Sequence, residues 1–98
     1  MKKNSDSLEK LTKLVGNTPL LEVSVLYEGK KINVYAKYEA WNYSGSIKDR
    51  MALQILKSAY ACGQLTPQDT IIEATSGNTG IAFAAMGAFL GHNVEIYM

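Results

Sequence analysis

From Asp49 onward the sequence alternates helix and strand signals, and that order is the tightest constraint on what the chain can fold into. Met51, Leu53, Ile55, Leu56, Ala59 and Tyr60 fall largely on one helical stripe within Asp49 to Ala61, which stops at Gly63 with Pro67 beyond. Thr70 to Ala74 is rich in β-branched residues and reads as a short strand. The polar turn Thr75 to Gly80 follows, then a nearly all-apolar helix from Ile81 to Leu90, closed by Gly91, and a second extended segment from Asn93 to Met98. Helix, strand, helix, strand is the pattern of parallel α/β units with right-handed crossovers, so the expected fold class is α/β. A parallel strand normally needs neighbours at its edges and helices on both faces. Two strands and two helices do not supply all of that, and the chain is expected to be truncated.

The first half reads differently. Asp6 and Glu9 have a capping-box spacing, and Leu8, Leu11, Leu14 and Val15 recur at helical intervals, which predicts a short N-terminal helix. Gly16-Asn17-Thr18-Pro19 breaks it, since proline offers no amide to a helix interior. Leu20 to Leu26 and Lys31 to Tyr38 read as an antiparallel hairpin turned through Gly29.

Composition narrows the function classes. With 47% apolar and 19% charged residues the chain is expected to fold, and a net charge of +1 without a basic stripe argues against nucleic acid as a partner. The longest apolar run is far shorter than the ~20 residues of a membrane helix, so a soluble, cytoplasmic protein without a membrane partner is expected. One cysteine and one histidine give no disulfide and no zinc cluster, and no metal site is expected. Cys62 reads as a small packing residue.

Two polar turns carry chemistry. The first, Asn42-Tyr43-Ser44-Gly45-Ser46-Ile47-Lys48-Asp49-Arg50, sets a lysine where a helix begins. Amides at a helix N-terminus carry partial positive charge, which disfavours an ammonium and favours the neutral amine that attacks an aldehyde. Lys48 is thus a candidate Schiff-base lysine, and the same string also reads as a capped, solvated helix start. The second, Thr75-Ser76-Gly77-Asn78-Thr79-Gly80, joins a strand to a helix, where free amides and the helix dipole face a crevice. Hydroxyls of Thr75, Ser76 and Thr79, with the amide of Asn78, could hold a carboxylate or phosphate, while Gly77 and Gly80 would let a ligand approach the backbone. A purely structural turn is the alternative. Neither G-x-G-x-x-G nor G-x-x-x-x-G-K-[ST] is present, so a dinucleotide fold and a P-loop are unsupported. His92 is expected to face solvent, Asp49 and Arg50 to be helix-start and surface ion-pair residues, and Gly87 with the helix alanines to be small for packing on the sheet.

Taken together, Val15 to Leu20, Lys37 and Glu39 ahead of Asn42, Ser44 to Arg50, and Glu73 to Gly80 resemble the cysteine synthase and cystathionine β-synthase group of fold-type II pyridoxal-phosphate enzymes. The resemblance runs through nearly the whole chain in order. It implies the N-terminal portion of such an enzyme, with residues 1–40 contributing to a large domain and 41–98 opening a small α/β domain. It also implies pyridoxal 5′-phosphate as cofactor, bound by Lys48 and by Asn78 at its phenolic oxygen, and a substrate α-carboxylate held by Thr75, Ser76, Asn78 and Thr79. Lys48 would be the catalytic base. The implied reaction is β-replacement on an activated serine or cysteine, such as O-acetylserine with sulfide or a thiol, in a homodimer. A β-eliminating lyase or threonine dehydratase relative and a non-catalytic remnant are the alternatives, and the loop from Thr75 to Gly80 differs from the histidine-containing dehydratase version. Tyr43 and Ala74 stand where the group often has proline, which bears on loop stiffness more than on chemistry. The group's glycine-rich phosphate loop has no counterpart here, so the isolated chain is expected to be inactive.

Overall fold

The computed structural model describes residues 2–98. Its elements are α1 (Lys2–Thr12), β1 (Leu20–Tyr27), β2 (Lys30–Lys37), a single 3-10 turn η1 (Glu39–Trp41), α2 (Lys48–Ala61), β3 (Ile71–Ala74), α3 (Asn78–Phe89) and β4 (Val94–Tyr97). The strands form two separate two-stranded sheets, β1 antiparallel to β2 and β3 parallel to β4.

Helix α1 begins ahead of Asp6, so the expected capping box at Asp6 and Glu9 is not its start; of the apolar positions that suggested the helix, Leu8 and Leu11 lie in its second half and Leu14 and Val15 past its end. The helix tightens as it ends, with the Lys13 and Leu14 amides donating to Lys10 and Leu11 carbonyls, and Gly16 (φ 81) and Asn17 (φ 48) then reverse the chain in the left-handed region. Leu11 is fully buried.

The hairpin turns through Glu28 (φ 49) and Gly29 (φ 76), the two positive-φ positions of a type I′ loop, whose twist matches that of its strands. Register places Val23 opposite Val34 and Val25 opposite Ile32, so one face carries these four with Leu21 and Ala36. Every residue of β1 and β2 is exposed, and no hydrogen bond joins this hairpin to β3 or β4 among the described residues.

In the second half α3 crosses from β3 to the parallel β4 and packs on their shared face, where Ile71, Glu73, Val94 and Ile96 are half-buried. Two glycines set how close it lies. A Cβ on Gly80 would stand 2.7 Å from Thr75 Cγ2, and one on Gly87 would overlap Val94 Cγ2 and stand 3.3 Å from Ile71 Cδ1. Gly87 therefore serves packing as expected, while Gly80, expected to open the loop to a ligand, is buried against Thr75 and Ile96 and also lines the cleft beside the loop. On its other side α3 meets α2: Ala52, Leu53 and Leu56 join Ala82, Phe83, Met86 and Leu90, with Leu11 completing the core.

Two sequence expectations fail here. His92 is 7% exposed rather than solvent-facing: its Nδ1 lies 2.7 Å from the Asp69 carbonyl oxygen and its Nε2 meets the Tyr60 hydroxyl, tying the last turn of α2 to the turn after α3. Cys62 is exposed rather than packed, because it sits one residue past the end of α2.

The packing of α3 predicts the behaviour of Gly87→Ala. Overfilling costs about 1–3 kcal/mol, against about 1 kcal/mol gained in helix propensity, so urea unfolding is expected to show a net loss of up to about 2 kcal/mol. The loss should shrink in a Val94→Ala background. Equal losses in both backgrounds would show that the close approach is not the cause.

Candidate active site

Lys48 is the first residue of α2, and Ile47 before it offers no side-chain cap to the helix. The Lys48 amide instead donates a long bond to Ser46 Oγ, 3.2 Å away, while Ser46 and Ile47 carbonyls accept from the Asp49 and Arg50 amides. The Lys48 side chain is exposed, and among the described residues nothing hydrogen-bonds its Nζ.

The turn that presents Lys48 is held from behind. Asp49 is fully buried, contrary to its expected surface role; its Oδ2 accepts from the Ser44 amide at 2.5 Å and its Oδ1 from the Ser44 hydroxyl. Asn42, 4% exposed, donates from Nδ2 to Glu39 Oε1 (3.0 Å), to the Glu39 carbonyl (2.9 Å) and to the Ser46 carbonyl (3.0 Å), and its Oδ1 accepts from the Gly16 amide at 2.7 Å. Arg50 does form the expected ion pair, and more than a surface one. Its Nε and Nη2 grip Glu39 at 2.6 and 3.0 Å, Nη2 also donates to Thr18 Oγ1 at 3.2 Å, and Thr18 in turn donates to Glu39. Lys37 Nζ donates to the Thr18 carbonyl. The resemblance grouped Lys37, Glu39 and Asn42 but gave them no role, because their partners lie up to 26 residues away.

The second motif straddles the start of α3, which begins at Asn78, three residues earlier than its apolar run. Thr75 is anchored by its amide to the Tyr97 carbonyl (2.9 Å), and its Oγ1 accepts from the Gly77 amide (3.2 Å), leaving its hydroxyl proton free to donate. Gly77 occupies the N-cap position and has no side chain to offer, so the first-turn amides of Asn78 and Thr79 have no intrahelical acceptor. Ser76 and Asn78 are exposed, Thr79 half-buried. A cleft of about 260 Å³ beside the loop is lined by Thr75, Ser76, Gly77 and Ile96 among others. Thr75, Ser76, Asn78 and Thr79 thus come together at one helix N-terminus. No hydrogen bond links them to Lys48 among the described residues; the two motifs are connected through the packing of α2 on α3.

The family profile described as "Pyridoxal-phosphate dependent enzyme" matches residues 11–98. The chain belongs to this family. Among curated relatives it is 45% identical over 95 residues to cystathionine beta-synthase of Saccharomyces cerevisiae, covering 94% of this chain and 19% of that protein. It is 46% identical over 93 residues to cysteine synthase of Aquifex aeolicus, covering 92% and 28%. A solved structure of a hydrogen sulfide-producing enzyme from Fusobacterium nucleatum superposes with a TM-score of 0.86 at 51% identity, over 96% of this chain and 28% of that one. The chain therefore spans between a fifth and somewhat over a quarter of these relatives, and its hairpin and parallel pair are those of a fold-type II pyridoxal-phosphate enzyme.

Pyridoxal phosphate is the cofactor of this family, and the residues present fit it in chemical type: the exposed amine of Lys48 at a helix start for an aldehyde, and an uncapped helix N-terminus with free amides and hydroxyls for an anionic group. Among the described residues no group of three His, Cys, Asp or Glu could hold a metal ion, and no helix is long and apolar enough to cross a membrane.

The Glu39 knot has a pH signature. Bonds from Arg50, then Thr18 and Asn42, hold its carboxyl at about 2, below its ordinary 4.5. Between those values the unfolded chain takes up the proton and the folded one resists, so Glu39's contribution is full above pH 4.5 and is lost as pH falls toward 2. Urea midpoints measured at pH 6, 4 and 3 should fall less steeply for Glu39→Gln than for the parent. Parallel profiles would disprove the assignment.

Proposed function

We propose that the protein carrying this chain is a cysteine synthase-like enzyme that replaces the β-substituent of an activated serine or of cysteine with sulfide or a thiol. The observation that carries the reading is the pairing of an unpartnered Lys48 with an uncapped α3 N-terminus rich in hydroxyls, on two helices that share one core. Its support from relatives is the names of the proteins matched, which make cysteine, make cystathionine or produce hydrogen sulfide.

When bound, pyridoxal 5′-phosphate supplies an electron-withdrawing ring that stabilises negative charge at an amino acid's α-carbon. Lys48 Nζ would hold the cofactor at its aldehyde carbon and, when its amine is free, would accept the substrate's α-proton as general base. Thr75, Ser76, Asn78 and Thr79 would bind the α-carboxylate through hydroxyls and the free amides, which orients the Cα–H bond toward the base and the β-carbon toward the incoming sulfur. Asn78 would also contact the cofactor's phenolic oxygen. Departure of acetate from O-acetylserine followed by sulfide addition gives cysteine; departure of sulfide from cysteine is the same chemistry with the groups exchanged, and the Fusobacterium relative favours keeping that direction open. The resemblance further carries a cytoplasmic homodimer, a division into residues 1–40 and 41–98, and an inactive isolated chain. The two sheets sharing no hydrogen bonds support a hairpin separate from β3 and β4, whereas Leu11 and the segment from Gly16 to Thr18 are joined to the second half.

Borohydride reduction of the full-length protein with its cofactor, followed by peptide mapping, is expected to place the stable adduct on Lys48 and to lose it in Lys48→Ala; an adduct on another lysine refutes the assignment. Thr79→Val, which removes a single hydrogen bond to a charged group worth about 1.5–3 kcal/mol, should raise KM for the amino-acid substrate by roughly 10-fold or more. An unchanged KM would move the carboxylate elsewhere.

A further inference from the structure

We propose that Arg50, Glu39 and Thr18 form a positioning device for the Lys48 amine, a role that rests on Lys48 being the cofactor lysine. The argument starts from the weakness of the helix start. Helix α2 has no side-chain cap at Ile47, and Ser46 Oγ reaches the Lys48 amide only at 3.2 Å. An uncapped first turn frays, and a lysine on it would wander with the backbone. Two residues further on, the same turn carries a guanidinium locked at both ends of its fork to Glu39, at 2.6 and 3.0 Å. Bidentate Arg–carboxylate geometry fixes direction as well as distance, which a single lysine contact cannot do.

The other end of the clamp is itself immobilised. Glu39 accepts from Thr18 and from Asn42, and Asn42 reaches on to the Ser46 carbonyl within the lysine turn. Gly16 leaves room for the guanidinium, since a Cβ there would stand 3.3 Å from Arg50 Nη1. The clamp therefore grips the lysine turn before Lys48, through Asn42, and after it, through Arg50, and roots both in the segment from Gly16 to Thr18. The Arg50 charge is spent on Glu39, so the cluster orients Lys48 without adding a free cation beside it.

The test uses the full-length protein with bound cofactor and the variants Glu39→Gln, Arg50→Lys and Thr18→Val, with Tyr60→Phe as a stability control at the His92 contact. The readouts are the visible circular dichroism of the bound cofactor, which an achiral chromophore shows only when held in a fixed asymmetric pose, together with kcat, KM and the borohydride adduct. Glu39→Gln and Arg50→Lys are expected to keep the adduct on Lys48 while losing at least half of the visible dichroism, and to lower kcat about 10- to 100-fold with KM within threefold. Thr18→Val keeps the ion pair and should move both readouts in the same direction by less, so it decides the matter if a charged variant does not fold. Tyr60→Phe should lower the unfolding midpoint and leave dichroism and kcat unchanged. Variants at Glu39, Arg50 and Thr18 that lose stability yet retain dichroism and kcat would reduce the cluster to a structural knot and overturn the proposal. An adduct absent from Lys48 in the parent protein would overturn the functional reading instead.

Discussion

Everything in the second half of the molecule depends on burying α3, a helix whose interior is apolar on nearly every side. A helix of that kind needs cover on two faces. It obtains one from β3 and β4, which it can approach closely because residues 80 and 87 lack side chains, and the other from α2, through Ala52, Leu53 and Leu56. Apolar burial is non-directional, so it can bring these layers together without fixing how they slide. The Tyr60–His92–Asp69 contact, centred on the buried His92, supplies direction at the end of α2.

That arrangement leaves the starts of α2 and α3 free for chemistry. Neither helix is capped by a side chain at its N-cap, although such caps typically contribute about 1 kcal/mol. At α3 the omission keeps amides open to an anion. At α2 it is offset by tertiary contacts, with Asp49 reaching back to Ser44 and Arg50 reaching out to Glu39 and Thr18. Local capping is thus exchanged for open donors at one helix and for a first turn held by tertiary contacts at the other.

Much of this was legible in the residues. Alternation and β-branching located β3 and β4 within a residue or two, and Gly29 marked the hairpin turn, because these signals are local. The start of α3 was placed late for a local reason too: Asn78 and Thr79 are polar, and hydrophobic periodicity is blind to a polar first turn. His92 and Asp49 were misread because the facts that bury them are long-range or conformational. The Tyr60 hydroxyl lies 32 residues from His92, and Asp49 turns back to bond a backbone amide five residues earlier. Arg50 was expected in an ion pair without a named partner, since nothing in a linear string says that Glu39 and Thr18 meet it.

The central claim is that Lys48 and the α3 N-terminus serve one substrate, although no hydrogen bond joins them directly. The most direct measurement is a crystal structure of the full-length protein with cofactor and an unreactive amino-acid analogue. The account predicts that the cofactor lies within bonding reach of Lys48 Nζ and that the analogue's carboxylate rests on the Asn78 and Thr79 amides and the Thr75 and Ser76 hydroxyls. A cofactor joined to a different lysine, or a carboxylate held away from residues 75–79, would contradict it.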